Sequence, residues 1–401
     1  MSFKCKIILC MMLLFLICGK NVIAAPDISG QSAVLLDVFS GQVLFEKNKD
    51  EKLPPASTTK VLTAIMAIES GRLDEIVTIG AQPPLTEGTA VYLQEGEKIS
   101  LRSLVEAALI HSANDAAVAI AEYLAGSEEQ FASQMNEKAR ALGAKNSSFV
   151  NSHGLSAEDH YTTAYDLALI GIYALRNETF SEIIKQKVLD WEGQAWQTRL
   201  INKNELLWKY KGADGIKTGY TREAKNTIIA SATKMERSYI AVILASSAPA
   251  IWDDAQSLLD HGFNEYKQVN LAQEGEIKAV LRVGEENDLQ LVPQHSFAVS
   301  IPNSASITSI QSQIVFDRNE DRIEAGETVG RIIYHLEGQE VGRLELVTAN
   351  AYSKPLNIKG LTAYIFSGIF CLQIIWRIFF RKRIRKSSKT RVVPRSERYG
   401  G

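Results

Sequence analysis

Three short motifs carry the residues of this chain that could do chemistry. Ser57 and Lys60 stand in Ser57-Thr58-Thr59-Lys60, Ser112 and Asn114 in Ser112-Ala113-Asn114, and a lysine opens Lys217-Thr218-Gly219. A serine hydroxyl is a weak nucleophile until a base removes its proton, and a lysine kept neutral by desolvation or a second cation can be that base. Three residues make about one helical turn, which puts Ser57 and Lys60 on one face and within reach of each other. Lys217 can supply the second cation. The spacing alone is not diagnostic, because Ser231-Ala232-Thr233-Lys234 repeats it inside a strand-like run. Order and local context set the first group apart.

Each motif sits in the local structure its chemistry requires. Pro54-Pro55-Ala56 precedes Ser57 and a helical pattern follows at once, so the serine lies at a helix start, where free backbone N–H groups can stabilise an oxyanion. Ser112 and Asn114 interrupt apolar helical sequence between His111 and Asp115, a local conflict that points to function. A hydroxyl there can relay a proton to a leaving amine, and a carboxamide can orient Lys60 and a substrate amide. Lys217-Thr218-Gly219 reads as strand, with a glycine that lets a substrate backbone approach the edge. Lys217 and Thr218 would hold a free carboxylate, which selects cleavage at chain ends. His153 and His160, the closest histidine pair, lack the spacing of a metal site, so neither metal nor cofactor is expected.

These motifs need a scaffold. Ala33–Val38 and Val43–Glu46 flank a glycine-containing turn and read as a hairpin. Val61–Ser70 and Leu101–Leu124 carry helical periodicity, with Gly71 and Gly126 as stops. Asp214–Tyr220, Thr227–Thr233 and Tyr239–Ser246 read as consecutive strands. The pattern implies an α+β domain, an antiparallel sheet backed by a helical cluster, over residues 25–262. Short alternating segments then describe a small all-β domain over 270–350.

The chain ends are of another kind. Lys4 and Lys6 precede an apolar run from Ile7 to Cys18, and Val22-Ile23-Ala24 offers a cleavage site, so residues 1–24 read as a signal peptide. After a linker at 351–360, residues 361–380 are apolar except for Arg377, and a basic tail fills 381–401. About twenty such residues just span a bilayer, and the basic flank puts the tail in the cytoplasm. An interfacial helix is the alternative. Between Ala25 and Gly360 stand 31 basic and 45 acidic residues, a balance of about −14 that argues against nucleic acid as a partner. All four cysteines lie in the expected leader or anchor, leaving an exported part without thiols.

From Ala33 to about Ser247 the chain resembles the low-molecular-mass penicillin-binding proteins that are D-alanyl-D-alanine carboxypeptidases, serine peptidase family S11. The resemblance rests on the three motifs in wider context, Pro55–Lys60, Ser112–Ala116 and Asp214–Thr221, and on Phe149-Val150-Asn151-Ser152-His153-Gly154-Leu155. Ala279 to about Val347 resembles that family's small β-sandwich stalk. The resemblance implies a β-lactamase/transpeptidase-like catalytic fold, Ser57 as the acylated residue, Lys60 as proton acceptor, and Ser112 and Asn114 as proton shuttle and positioning group. It further implies substrate binding along Lys217, Thr218, Gly219 and Tyr220, with the N–H groups of Ser57 and Tyr220 as oxyanion hole. The implied substrate is the peptidoglycan stem peptide ending in D-Ala-D-Ala, with β-lactams as covalent mimics and the membrane as site of attachment. One departure stands out: Ala224-Lys225-Asn226 replaces the family's Ala-Gly-aromatic, and a side chain at Lys225 could reshape the strand entry beside Lys217. Two rival readings share the motifs, a wall-binding or penicillin-sensing protein with little turnover, and a β-lactamase.

Overall fold

The computed structural model describes residues 25–247, 249–283, 287–316 and 322–353, with 373–375 and 377 near the C-terminus. The expected leader and basic tail lie outside the described residues, as does nearly all of the expected linker and anchor. Among the described residues no helix is long and apolar enough to cross a membrane.

The first hairpin pairs β1 (Ser32–Asp37) with β2 (Val43–Lys47). Next come α1 (Lys60–Glu69), the small pair β3 (Ile76–Thr78) and β4 (Lys98–Ser100), and α2 (Leu101–Glu106). The helical pattern expected over Leu101–Leu124 is interrupted, because α2 passes into a π-helical turn at Ala107–His111 and Ser112 is left-handed at φ +72°. Then follow α3 (Asn114–Ala125), α4 (Glu128–Ala141), α5 (Ala164–Leu175), α6 (Glu178–Lys185), the hairpin of β5 (Val188–Glu192) and β6 (Gln197–Ile201), and one-turn α7 (Leu206–Lys209). β7 (Ala213–Thr221), β8 (Lys225–Lys234) and β9 (Arg237–Ser246) complete an antiparallel sheet of order β2-β1-β9-β8-β7. α8 (Ala250–Glu265) closes the domain and runs past residue 262, the boundary expected from sequence.

Alternate residues of the sheet serve opposite cores. Val34, Leu36, Ile229, Ile240, Val242 and Leu244 face the helical cluster built on α1, α3 and α5. Leu35, Ile228, Ala230, Tyr239, Ala241 and Ile243 pack on Ile251, Leu258 and Leu259 of α8. Burial on both faces is why these strands read as nearly continuous apolar runs. β7, at the sheet edge, lies against the turn that carries Ser57.

β10 (Tyr266–Ala272) follows α8 without a linker. β11 (Ala279–Val283), β12 (Asn287–Pro293), β13 (Phe297–Pro302), β14 (Ile310–Phe316), β15 (Arg322–Ile323), β16 (Thr328–Leu336), β17 (Gln339–Thr348) and β18 (Tyr352–Ser353) make the second region all-β. Its main sheet has the order β11-β12-β17-β16-β14, beside the pairs β10-β13 and β15-β18. Leu289, Leu291, Val299, Ile301, Leu344 and Leu346 form its separate core. A buried polar joint ties it to the sheet: Ser300 donates to the Asp37 carboxylate, and its Oγ is 3.1 Å from the Tyr239 hydroxyl.

Candidate active site

Ser57 sits in a single 3-10 turn, Ala56–Thr59, that runs straight into α1. Lys60 follows as the first residue of α1 and is fully buried. Its Nζ lies 3.1 Å from Ser57 Oγ, 2.6 Å from Asn114 Oδ1 and 2.6 Å from the His153 carbonyl. Both carbonyl oxygens can only accept. A neutral amine has two N–H groups and one lone pair, so when the carbonyls take the N–H groups the lone pair is left for the Ser57 hydroxyl. Burial, then the charges of Lys217 and Lys203, hold this amine well below the ordinary lysine range.

Asn114 is fixed from both sides. Its backbone N–H donates to the Thr89 carbonyl at 2.7 Å and its Nδ2 to the Glu87 carbonyl at 2.7 Å, which leaves Oδ1 turned to Lys60. Ser112 is buried, and its left-handed backbone ends the π-helical turn so that α3 can start at Asn114. Gly154, φ +90°, lets the His153 segment pass the serine turn, since a Cβ there would stand 1.9 Å from the Ala56 carbonyl oxygen.

Lys217 lies in β7, 2% exposed, and donates to the Thr218 carbonyl at 3.0 Å. Burial, and secondarily the Lys203 charge, bring its pKa to about 7. Gly219 allows β7 to touch the serine turn, because a Cβ would come within 2.6 Å of the Ser57 backbone nitrogen. Thr218 is half-buried and Tyr220 is exposed on the same strand. Thr227 on β8 clamps the far side of the turn through the Pro55 carbonyl at 2.9 Å. The structure thus brings Ser57, Lys60, Asn114 and Gly219 into contact and sets Lys217 close enough for its charge to act on Lys60, while Ser112 lies two residues before Asn114 and Thr218 and Tyr220 flank Gly219 on β7.

Lys203 was not singled out by sequence. It is exposed in the loop after β6, with its amine turned to donate to the Thr89 hydroxyl at 3.0 Å, so both it and Lys217 rest on neutral partners. Partial desolvation of that amine lowers its pKa. The usable signal was its setting between Asn202 and Asn204, both buried and bonded to the loop backbone. The His153 carbonyl was equally invisible, being a backbone group.

Other sequence features fall outside this group. Ser231 and Lys234 point to opposite faces of β8, and Lys234 stacks over the Tyr210 ring at 4.1 Å. Lys225 pairs with Thr221 at the hairpin turn, whereas Lys217 pairs with Ile229, so Lys225 stands four residues up the strand and not beside Lys217. His153 and His160 are neutral, their pKa values lowered to about 3 and about 4, chiefly by burial. No cluster of three or more His, Cys, Asp or Glu suited to a metal occurs among the described residues.

A serine held against a buried amine, under the edge of an antiparallel sheet and with two further lysines whose charges act on that amine, is an arrangement able to activate a serine as a nucleophile. Comparison with known proteins narrows the class. The profile of the D-alanyl-D-alanine carboxypeptidase family, peptidase S11, matches residues 20–248, and that of the penicillin-binding protein 5 C-terminal domain matches 266–354. The D-alanyl-D-alanine carboxypeptidase DacD of Escherichia coli K12 is 33% identical over 357 residues, covering 84% of this chain and 91% of that protein. DacF of Bacillus subtilis strain 168, a D-alanyl-D-alanine carboxypeptidase, is 31% identical over 325 residues, 77% of this chain and 82% of its own. Penicillin binding protein 5 from Haemophilus influenzae superposes with a TM-score of 0.72 at 26% identity, covering 82% of this chain and 100% of that one. The chain belongs to the S11 D-alanyl-D-alanine carboxypeptidase family.

Proposed function

We propose that this chain is a serine D-Ala-D-Ala carboxypeptidase that removes the terminal D-alanine from peptidoglycan pentapeptide stems through an acyl-enzyme on Ser57. The observation that carries the reading is the setting of Lys60, a buried amine with two obligate acceptors and the Ser57 hydroxyl as its third neighbour.

The substrate's C-terminal carboxylate enters beside Lys217 and Lys203, and its backbone lies along the edge of β7. Ser57 Oγ attacks the carbonyl of the penultimate D-alanine while its proton passes to Lys60. Charge then develops on the carbonyl oxygen, where the N–H groups of Ser57 and Tyr220 are the proposed donors. Collapse of the tetrahedral intermediate needs a proton on the leaving amine, and Ser112 is the group proposed to relay it from Lys60. D-Alanine leaves, and water, deprotonated by the same lysine, hydrolyses the ester. A β-lactam carries an amide and a carboxylate in comparable positions and so acylates Ser57 as a substrate mimic. The leader and C-terminal segment read from sequence support an enzyme exported and held at the outer face of the cytoplasmic membrane, where such stems are found.

The test is D-alanine release from diacetyl-L-Lys-D-Ala-D-Ala by the detergent-solubilised full chain beside its Ser57→Ala variant. Release that disappears in the variant supports the reading. Absent release, with Ser57 still labelled by penicillin, replaces it with a sensing role.

A further inference from the structure

Next to Ser112 lies an aromatic row that none of these steps uses. Tyr92 is 63% exposed, yet its backbone is held at φ +59°, a left-handed conformation that is costly for a bulky residue. Asp115, the buried neighbour of Asn114, enforces it. Its carboxylate accepts from Val91 N and from Leu93 N at 3.1 Å each, one on either side of Tyr92. Trp196, at the β5–β6 turn, meets the Tyr92 ring edge-on with centroids 5.3 Å apart, and lies 5.9 Å from the ring of His111, the residue before Ser112.

Three segments distant in sequence therefore converge on one row of rings beside the Ser112–Asn114 segment. The loop that bears Tyr92 also borders the chemistry: Asn114 bonds its Glu87 and Thr89 carbonyls, and Lys203 reaches its Thr89 hydroxyl. His111 is neutral above about pH 4, pushed down by burial and by Lys203 and Lys217, so the row offers ring surface and not charge. Backbone strain spent on exposing a large apolar side chain is the reverse of what stability alone would favour.

We propose that Tyr92 and Trp196 form a specificity subsite that takes the side chain of the residue preceding D-Ala-D-Ala, contacting its methylene chain. The inference rests on the carboxypeptidase reading. A peptide with its terminal carboxylate at Lys217 and Lys203 presents two D-alanine methyls, too small to need two aromatic rings. The first long side chain comes at the preceding residue. The cations already in the site disfavour a free ammonium nearby, so an amide-capped side chain fits better than a bare amine.

The experiment compares kcat/KM for diacetyl-L-Lys-D-Ala-D-Ala with that for acetyl-Gly-D-Ala-D-Ala, which lacks the side chain, in the full chain. The wild type prefers the lysine peptide. In Tyr92→Ala that preference falls about tenfold, the scale of losing one well-packed apolar contact, and in Tyr92→Phe it is kept within about twofold, because the ring and not the hydroxyl makes the contact. Equal loss on both peptides would assign Tyr92 a structural role and overturn the subsite, as would an unchanged ratio. Penicillin labelling of Ser57 reports that the fold is intact; if Tyr92→Ala fails it, Tyr92→Leu, which keeps bulk in the loop, carries the comparison. Turnover of the glycine peptide by wild type, absent in Ser57→Ala, tests the carboxypeptidase reading separately.

Discussion

Lys60 and Lys217 are buried amines, and the proposed reaction asks opposite charge states of them, one neutral to accept a proton and one cationic to hold a carboxylate. Activity should rise with pH as Lys60 loses its proton and fall as Lys217, near pH 7 in the free enzyme, loses its own. Because the Lys217 charge helps to depress Lys60, Lys217→Ala should move the acid limb of β-lactam acylation to higher pH; an unmoved limb would remove Lys217 as a cause and leave burial and Lys203. The same depression is a stability statement. Lys217 titrates near 7 when folded and near 10.5 when unfolded, so the unfolded chain binds more protons between those values and stability rises with pH across that window. Lys217→Met should therefore raise Tm most below pH 7, with the gain shrinking to nothing above about pH 10.5, as thermal scans across pH would register. A pH-independent gain would mean that packing, not charge, is responsible.

At the scale of elements, the site depends on how closely β7 and the serine turn approach. Gly219→Ala places a methyl 2.6 Å from the Ser57 nitrogen, so strand and turn must part. A misplacement of about 1 Å can lower the rate about a hundredfold; penicillin acylation of a variant with unchanged Tm would measure it, and a loss below tenfold would show that the turn yields freely. The β7–β8 turn holds Lys225 at φ +54°, where glycine is unstrained. Lys225→Gly should stabilise by about 1 kcal/mol with D-alanine release unchanged, read by denaturant unfolding beside the peptide assay. These elements also show what was legible beforehand. Ser57–Lys60 and Lys217–Gly219 are local patterns on single elements, so residue types and spacing sufficed. Lys203, the His153 carbonyl and the Tyr92–Trp196 contact arise where loops from different parts of the chain meet, and no local pattern records such meetings. The turn at Ala107–His111 escaped for another reason: its residues are apolar and helical in period, and only the polar Ser112 and Asn114 betray the break. Helix α4 escaped because its buried side is narrow, Phe131, Ala132, Met135 and Ala139 on an otherwise polar segment.

Across the whole molecule, two cores meet at one buried polar joint, Asp37, Ser300 and Tyr239. The Asp37 carboxylate also accepts from the N–H groups of Phe39 and Ser40, so the joint needs Ser300 mainly to satisfy Tyr239 and the remaining carboxylate oxygen. Ser300→Ala should cost about 1–2 kcal/mol, measured as a lowered midpoint in thermal unfolding; no shift would mean that water replaces the hydroxyl. The sheet itself has two edges, β2 and β7, and only β7 borders the serine. An unpaired strand edge is also the place where one protein molecule adds to another and aggregation begins. A substrate backbone lying along β7 as proposed would occupy the same row of backbone groups that a stray second copy would need.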